Sequence, residues 1–144
     1  MQIINKKAKF NYNLLERYEA GISLLGAEAK AFRLRKVNLS NSYAKIIDSE
    51  VYLINANISV EGKKDYNPTR SRKLLLHKDQ IISLKEKVKA KKLTLVPTKL
   101  YNKGRLVKVE LALAKSKRKF EKKDALKRKD IERDIERELK DKKT

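Results

Sequence analysis

The chain has 144 residues, with 38 Lys and Arg against 18 Asp and Glu for a net charge of +20, one His and no Cys. That length suits one domain with an appendage, and the lack of Cys excludes disulfides, thiolate metal sites and thiol catalysis. So large a positive excess points to a polyanionic partner, whose condensed counterions are released as phosphates are neutralised. No apolar run approaches the ~20 residues of a membrane-spanning helix and no signal peptide opens the chain, so a cytoplasmic protein without a membrane partner is expected.

Taken in order, Asn5 to Lys9 is a basic strip leading to Phe10 and Tyr12. Glu19–Leu25 is a short apolar segment bounded by Gly, which reads as a strand. Ala27–Leu34 reads as a short helix, with Glu28 in its first turn and Arg33, Arg35 and Lys36 at its far end, an order that complements the helix dipole. On shape alone this is also what a capped surface helix with solvated charges looks like. Ser42–Ile47 and Val51–Ile58, joined through Asp48-Ser49-Glu50, form a hairpin. Glu61 to Arg72 is polar, with Gly62 and Pro68, and reads as an exposed loop. Leu74–Leu76 leads into a helix over Asp79–Lys91. Two last strands, Leu93–Tyr101 and Arg105–Ala114, meet at Asn102-Lys103-Gly104, where Gly104 is free to take a positive φ; Pro97 marks an edge or a bulge.

Five or six short strands with antiparallel hairpins and two or three flanking helices predict a mainly β protein with some α. A small, partly closed barrel of the oligonucleotide-binding type is the economical architecture, because closure removes sheet edges, while periodicity leaves its topology open. Residues 1–114 are expected to form this domain and 115–144 a basic tail. The two parts carry net charges of +14 and +6. The tail holds too few apolar residues to close a core but consists of helix formers, with Glu136–Lys140 and Glu138–Lys142 at supporting spacing. A tail disordered alone and helical on a partner is expected, against the plainer reading of a solvated helix.

Catalytic constellations are missing. One His and no Cys assemble neither a Ser-His-Asp nor a Cys-His arrangement, and the four Gly are too scattered to cradle a phosphate; a carboxylate pair assembled by folding stays open. No catalytic residue, metal or cofactor is expected. Binding remains. Lys6, Lys7, Lys9, Lys30, Arg33, Arg35, Lys36, Arg70, Arg72, Lys73 and Lys108 can neutralise phosphates, and Tyr12, Tyr43, Tyr66 and Tyr101 can stack on bases or pack against the barrel. For His77, at a helix entrance, a structural hydrogen bond and an RNA contact are both open.

Laid out in this order, the segments resemble the small protein B family, the SsrA-binding proteins that partner transfer-messenger RNA in bacterial trans-translation. The likeness is carried by Asn5-Lys6-Lys7-Ala8, Tyr18 to Ile22, Gly26 to Lys30 with Arg33, Val37-Asn38-Leu39, Asn41-Ser42-Tyr43, the run Asn67 to His77, Thr94 to Pro97, Lys99-Leu100-Tyr101, Lys108-Val109-Glu110 and Leu113-Ala114-Lys115. The resemblance implies an oligonucleotide-binding barrel that grips the tRNA-like domain of transfer-messenger RNA and delivers it to stalled ribosomes. It implies an RNA-recognition surface at Glu19, Leu75, His77 and Lys108, extended by Asn5, Lys6, Glu28, Lys30, Arg33, Asn38, Ser42 and Tyr43. It also implies a tail that becomes ordered in the vacant messenger channel near the small-subunit decoding region, and a link to elongation factor Tu through the RNA. In that tail Phe120-Glu121-Lys122-Lys123 stands where the family has an aromatic or His followed by Asp, Lys and Arg. A Lys lacks the bidentate fork of Arg, so any contact that needs that fork is altered here.

Overall fold

The structure is a computed structural model, and it describes residues 1–117. Among the described residues there are nine strands and three helices: β1 (Gln2–Ile4), α1 (Lys6–Asn11), β2 (Tyr12–Ile22), α2 (Gly26–Arg33), β3 (Val37–Asn38), β4 (Tyr43–Ile47), β5 (Glu50–Ile54), β6 (Asn57–Ile58), β7 (Arg72–Leu75), α3 (Lys78–Lys91), β8 (Thr94–Lys103) and β9 (Leu106–Ser116). One sheet runs β1-β8-β4-β5-β7-β2-β9, and a further pairing of β8 with β9 brings its ends together. The expected ring is therefore present, made of β8, β4, β5, β7, β2 and β9, with every pairing antiparallel.

Ring closure is uneven. β2–β9 and β8–β9 are long ladders, whereas β4–β8 meets only at Ala44↔Leu95 and β2–β7 only at Gly21↔Leu75 and Ile22↔Leu74. The interior holds Val51, Leu53, Leu74, Leu84, Leu95, Leu100, Val109, Leu111 and Leu113, with Phe32 from α2 as the one large aromatic among the fully buried side chains of the described residues. The branched aliphatic content of the sequence is what fills a barrel this narrow.

Turn chemistry fixes the hairpins. Asp48 and Ser49 both take positive φ, at 49° and 64°, as a two-residue connection matched to the strand twist requires. Gly104 takes φ 63° between β8 and β9, as its freedom from Cβ strain allows. Pro97 does mark a bulge: the β8–β9 register shifts between Pro97 and Lys99.

One segment extends the sequence reading and another differs from it. The basic strip at residues 5–9, which the sequence left without a secondary structure, leads into a helix: Asn5 caps α1, its Oδ1 accepting from the Ala8 amide at 3.2 Å. Its Nδ2 donates to Leu39 O at 3.2 Å and Pro97 O at 2.9 Å, so the one side chain ties α1, the loop before β4 and the bulge together. Arg72 is not the end of an exposed loop. It opens β7 and is fully buried.

Candidate nucleic-acid interface

Gly21 sits at the narrow seam of the ring, with Leu75 of β7 opposite it on one side and Lys108 of β9 on the other. A Cβ there would lie 3.2 Å from the Leu75 Cβ, so the missing side chain lets the two strands approach. Side chains around this point line a hollow of about 430 Å³: Glu19, Leu75, Leu76, His77, Gln80 and Lys108. Glu19 is two residues before Gly21 and shares its face; His77 precedes α3, its amide donating to Gln80 Oε1 at 3.2 Å. Residues separated by nearly ninety positions are thus brought to one opening. A second hollow, of about 260 Å³, adjoins it through Gly21, Leu75 and Lys108 and adds Leu24, Ala29, Arg105 and Leu106. Leu75 is 55% and Leu106 64% exposed, an apolar pair on a strongly basic surface.

The electrostatics of the hollow are mixed. The Tyr101 hydroxyl donates to Glu19 Oε2, Lys103 Nζ lies 3.6 Å from Oε1, and Lys108 is close enough to add its charge. The Tyr101 hydrogen bond, with the two lysines, holds the Glu19 carboxyl below its usual range. Burial and the adjoining carboxylate push the Tyr101 phenol up, so it stays a donor. The opening therefore presents an ionised acceptor, an imidazole, an ammonium and an apolar platform. That set suits a folded single-stranded segment with exposed base edges and ribose hydroxyls better than a plain phosphate track.

The weaker candidates are scattered over several places. Asn5, Ser42 and Tyr43 line a separate hollow of about 330 Å³ with Lys7, Asn41 and Thr94. Of these three candidates only Tyr43 presents an exposed side chain. The Asn5 amide is committed as described, and Ser42 Oγ donates to Leu39 O at 2.5 Å. Lys6 is exposed on α1, and Arg33 is exposed at the end of α2; Lys30, also exposed, lines a third hollow with Lys36 and Glu61. Asn38 is exposed, with its Oδ1 accepting from the Ser40 amide at 2.8 Å.

Glu28 is a correction. It is fully buried, so it is not on the recognition surface. Its Oε2 accepts from Arg72 Nε at 2.7 Å, Tyr66 Oη at 2.7 Å and Arg70 Nε at 3.0 Å. Its Oε1 accepts from the Leu25 amide at 2.8 Å and from Arg70 Nη2. Burial alone would raise the carboxyl's pKa, but the Arg70, Leu25, Tyr66 and Arg72 hydrogen bonds outweigh it and bring it down to about 2. Arg72 in turn donates to the carbonyls of Ala56 (2.8 Å), Pro68 (2.9 Å) and Arg70 (3.0 Å) and to Tyr66 Oη (3.0 Å). Arg72 is thereby removed from the phosphate-neutralising set, the partly exposed Arg70 and Tyr66 are engaged by Glu28, and Lys36 and Lys73 are paired with Glu61 and Glu50. The sequence did not show that the bases of residues 70–72 answer a carboxylate more than forty positions earlier.

Sequence reasoning also missed Gln80, Lys103, Arg105 and Leu106 as neighbours of the opening, and offered Tyr101 only as a side chain that stacks or packs. An isolated Gly inside a strand was the available signal of close approach at Gly21, but the strands that flank it follow only from the register. Among the described residues, no group of three or more His, Cys, Asp or Glu can hold a metal ion, and no helix is long and apolar enough to cross a membrane. Phe120, Glu121, Lys122 and Lys123 lie outside the described residues.

The model of the SmpB protein family matches residues 2–141. The chain belongs to the SmpB family. Two curated SmpB relatives carry the name SsrA-binding protein. That of Dehalococcoides mccartyi is 45% identical over 139 residues, covering 94% of this chain and 81% of the relative. That of a Sulfurihydrogenibium species is 49% identical over 141 residues, covering 96% and 93%. A chain in a solved structure described as "tmRNA-SmpB: a journey to the center of the bacterial ribosome" is 43% identical, matches with a TM-score of 0.68, and is covered over 94% of its length by 87% of this one.

Proposed function

We propose that this SmpB-family chain is an RNA-binding adaptor that grips the tRNA-like domain of transfer-messenger RNA and brings it to stalled ribosomes. The observation that carries the reading is the convergence of Glu19, Leu75, His77 and Lys108 on one hollow beside Gly21. The relatives' name, SsrA-binding protein, and a ribosome-associated solved homologue support the same RNA and the same destination. In this reading Lys108 meets a phosphate, His77 and Glu19 read base edges or 2′-hydroxyls, and Leu75 supports an unstacked base. Asn5 and Ser42 act by holding the loop that presents Tyr43; Lys6, Lys30, Arg33 and Asn38 supply peripheral contacts. The role is one of binding, without a catalytic step.

The tail, including Phe120, Glu121, Lys122 and Lys123, would enter the vacant messenger channel near the small-subunit decoding region, and elongation factor Tu would join through the RNA. A ribosomal-protein reading shares the basic composition. Lys108→Ala and His77→Ala, assayed by binding to an isolated tRNA-like domain at near-physiological salt, separate the two. Weakened binding with an unchanged fold supports the proposal, and unchanged binding of both variants refutes these assignments.

A further inference from the structure

Glu28 lies fully buried behind the opening, and its two oxygens serve two different walls of it. Oε1 accepts from the Leu25 amide at 2.8 Å, at the entry to α2. That bond fixes the turn between Leu24 and Ala29, both of which line the hollow adjoining the opening. Oε2 accepts from Arg72 Nε at 2.7 Å, at the start of β7. The same strand ends at Leu75, and His77 follows two residues later. One carboxylate therefore ties together the two sides of the site.

The Arg72 end of the tie is locked. Each of its five N–H groups has an acceptor: Glu28 Oε2, Tyr66 Oη and the carbonyls of Ala56, Pro68 and Arg70. A buried guanidinium held in this way cannot slide without leaving several donors unpaired, so it pins β7 lengthwise. Burial alternates along the strand, with Arg72 and Leu74 inward and Lys73 and Leu75 outward. Leu75 stands three residues on from this fixed point, about 10 Å along the strand. Its local support is slight: β5 pairs with Arg72, Lys73 and Leu74, and Leu75 takes its ladder partner, Gly21, across the narrow seam.

A buried ion pair adds little net stability over an apolar pair of similar volume, because desolvation offsets the attraction. What it supplies is direction, since each oxygen must stay within hydrogen-bond reach of its donors. Recognition side chains need backing of that kind to hold their placement.

We propose that Glu28 is a positioning residue for RNA recognition. It sets the separation of the wall formed by Leu24 and Ala29 from the wall formed by Leu75 and His77, and so the width that admits the tRNA-like fold. It touches no RNA itself. This rests on the RNA-binding reading of the opening.

Three full-length variants test it. Glu28→Gln is isosteric but sets a donor against either the Leu25 amide or the Arg72 guanidinium. Glu28→Leu with Arg72→Met replaces the tie by an apolar pair. Val96→Ala is a destabilised control, because Val96 is buried against Ala8 and Ala114, away from the opening. In the free proteins, the Leu24 and Leu75 methyl signals and the His77 ring signals should move together in the two Glu28 variants and stay in place in Val96→Ala. Affinity for the tRNA-like domain should fall about fivefold or more in both Glu28 variants, the loss of about one directed contact, with affinity for an unrelated hairpin changing much less. The apolar pair should regain stability to urea without regaining that affinity, and Val96→Ala should lose stability while keeping it. Affinity that recovers along with stability in the apolar pair overturns the proposal, as do unmoved wall signals or parent affinity in Glu28→Gln. A parent protein that does not prefer the tRNA-like domain would refute the RNA-binding reading instead, and the wall signals would still decide whether Glu28 sets the opening.

Discussion

Glu28 and Arg72 illustrate how one charged pair can shape a fold from inside. Both side chains have no exposure, and each satisfies the other while also holding α2 and the 61–71 segment. Removing one partner leaves the other buried without its counter-charge, which costs about 3–5 kcal/mol. Glu28→Ala is therefore expected to lower the urea midpoint strongly. Glu28→Leu with Arg72→Met should recover part of that loss, and a fully additive double variant would refute the coupling. The pH dependence has a defined sign. Its hydrogen bonds hold the Glu28 carboxyl down at about 2 in the folded chain, against an ordinary 4.5, so its stabilisation is complete above about 4.5 and is lost as pH falls through about 2. Urea midpoints measured across that window should fall in the parent and change less in Glu28→Gln. At the opening, Lys108→Ala should weaken RNA binding and reduce the salt slope by about 1, as expected for one lost phosphate contact. The runs around Glu19, Leu75, His77 and Lys108 could be picked out of the chain only through their resemblance to the small protein B family, whose motifs stand there in the same order. Burial of Glu28, Asn5, Ser42 and Arg72 could not, because it depends on which distant carbonyls and guanidinium groups meet them.

At the scale of elements, the seam between β2 and β7 decides how the opening is held. Only two residue pairs join these strands, and Gly21 is one of the four residues involved. Gly21→Ala places a methyl 3.2 Å from the Leu75 Cβ, which is rooted in the β7 backbone and cannot swing aside as a side-chain tip can. The expected cost is about 1–3 kcal/mol of overpacking, together with weaker RNA binding as Leu75 and His77 shift. A variant with parent stability and parent affinity would show that the close approach is unimportant. The hairpins and α2 were legible from alternation, turn residues and the acid-to-base order. α1 was not, since its signal was a single Asn cap before six residues, and a helix so short is formed by its tertiary contacts. The Pro97 bulge was visible as a breaker, but that Asn5 reaches across to the exposed carbonyl was not.

For the whole molecule, the proposed division is between a barrel that selects an RNA and a tail that acts on the ribosome. β9 runs to Ser116, and the Lys117 amide bonds to Asn11 O at 3.0 Å, so a clean truncation ends after Lys117 and leaves the ring intact. Such a protein should bind the tRNA-like domain with nearly parent affinity and fail to support peptide tagging on stalled ribosomes. Loss of RNA binding would contradict that division. A net charge of +20 ensures some affinity for any RNA, so affinity alone carries little information and selectivity carries the claim. The most direct test is competition between the tRNA-like domain of transfer-messenger RNA and an unrelated hairpin of equal length, at near-physiological salt. A clear preference for the tRNA-like fold, diminished by Lys108→Ala and His77→Ala, is predicted; equal binding of the two RNAs would contradict the account.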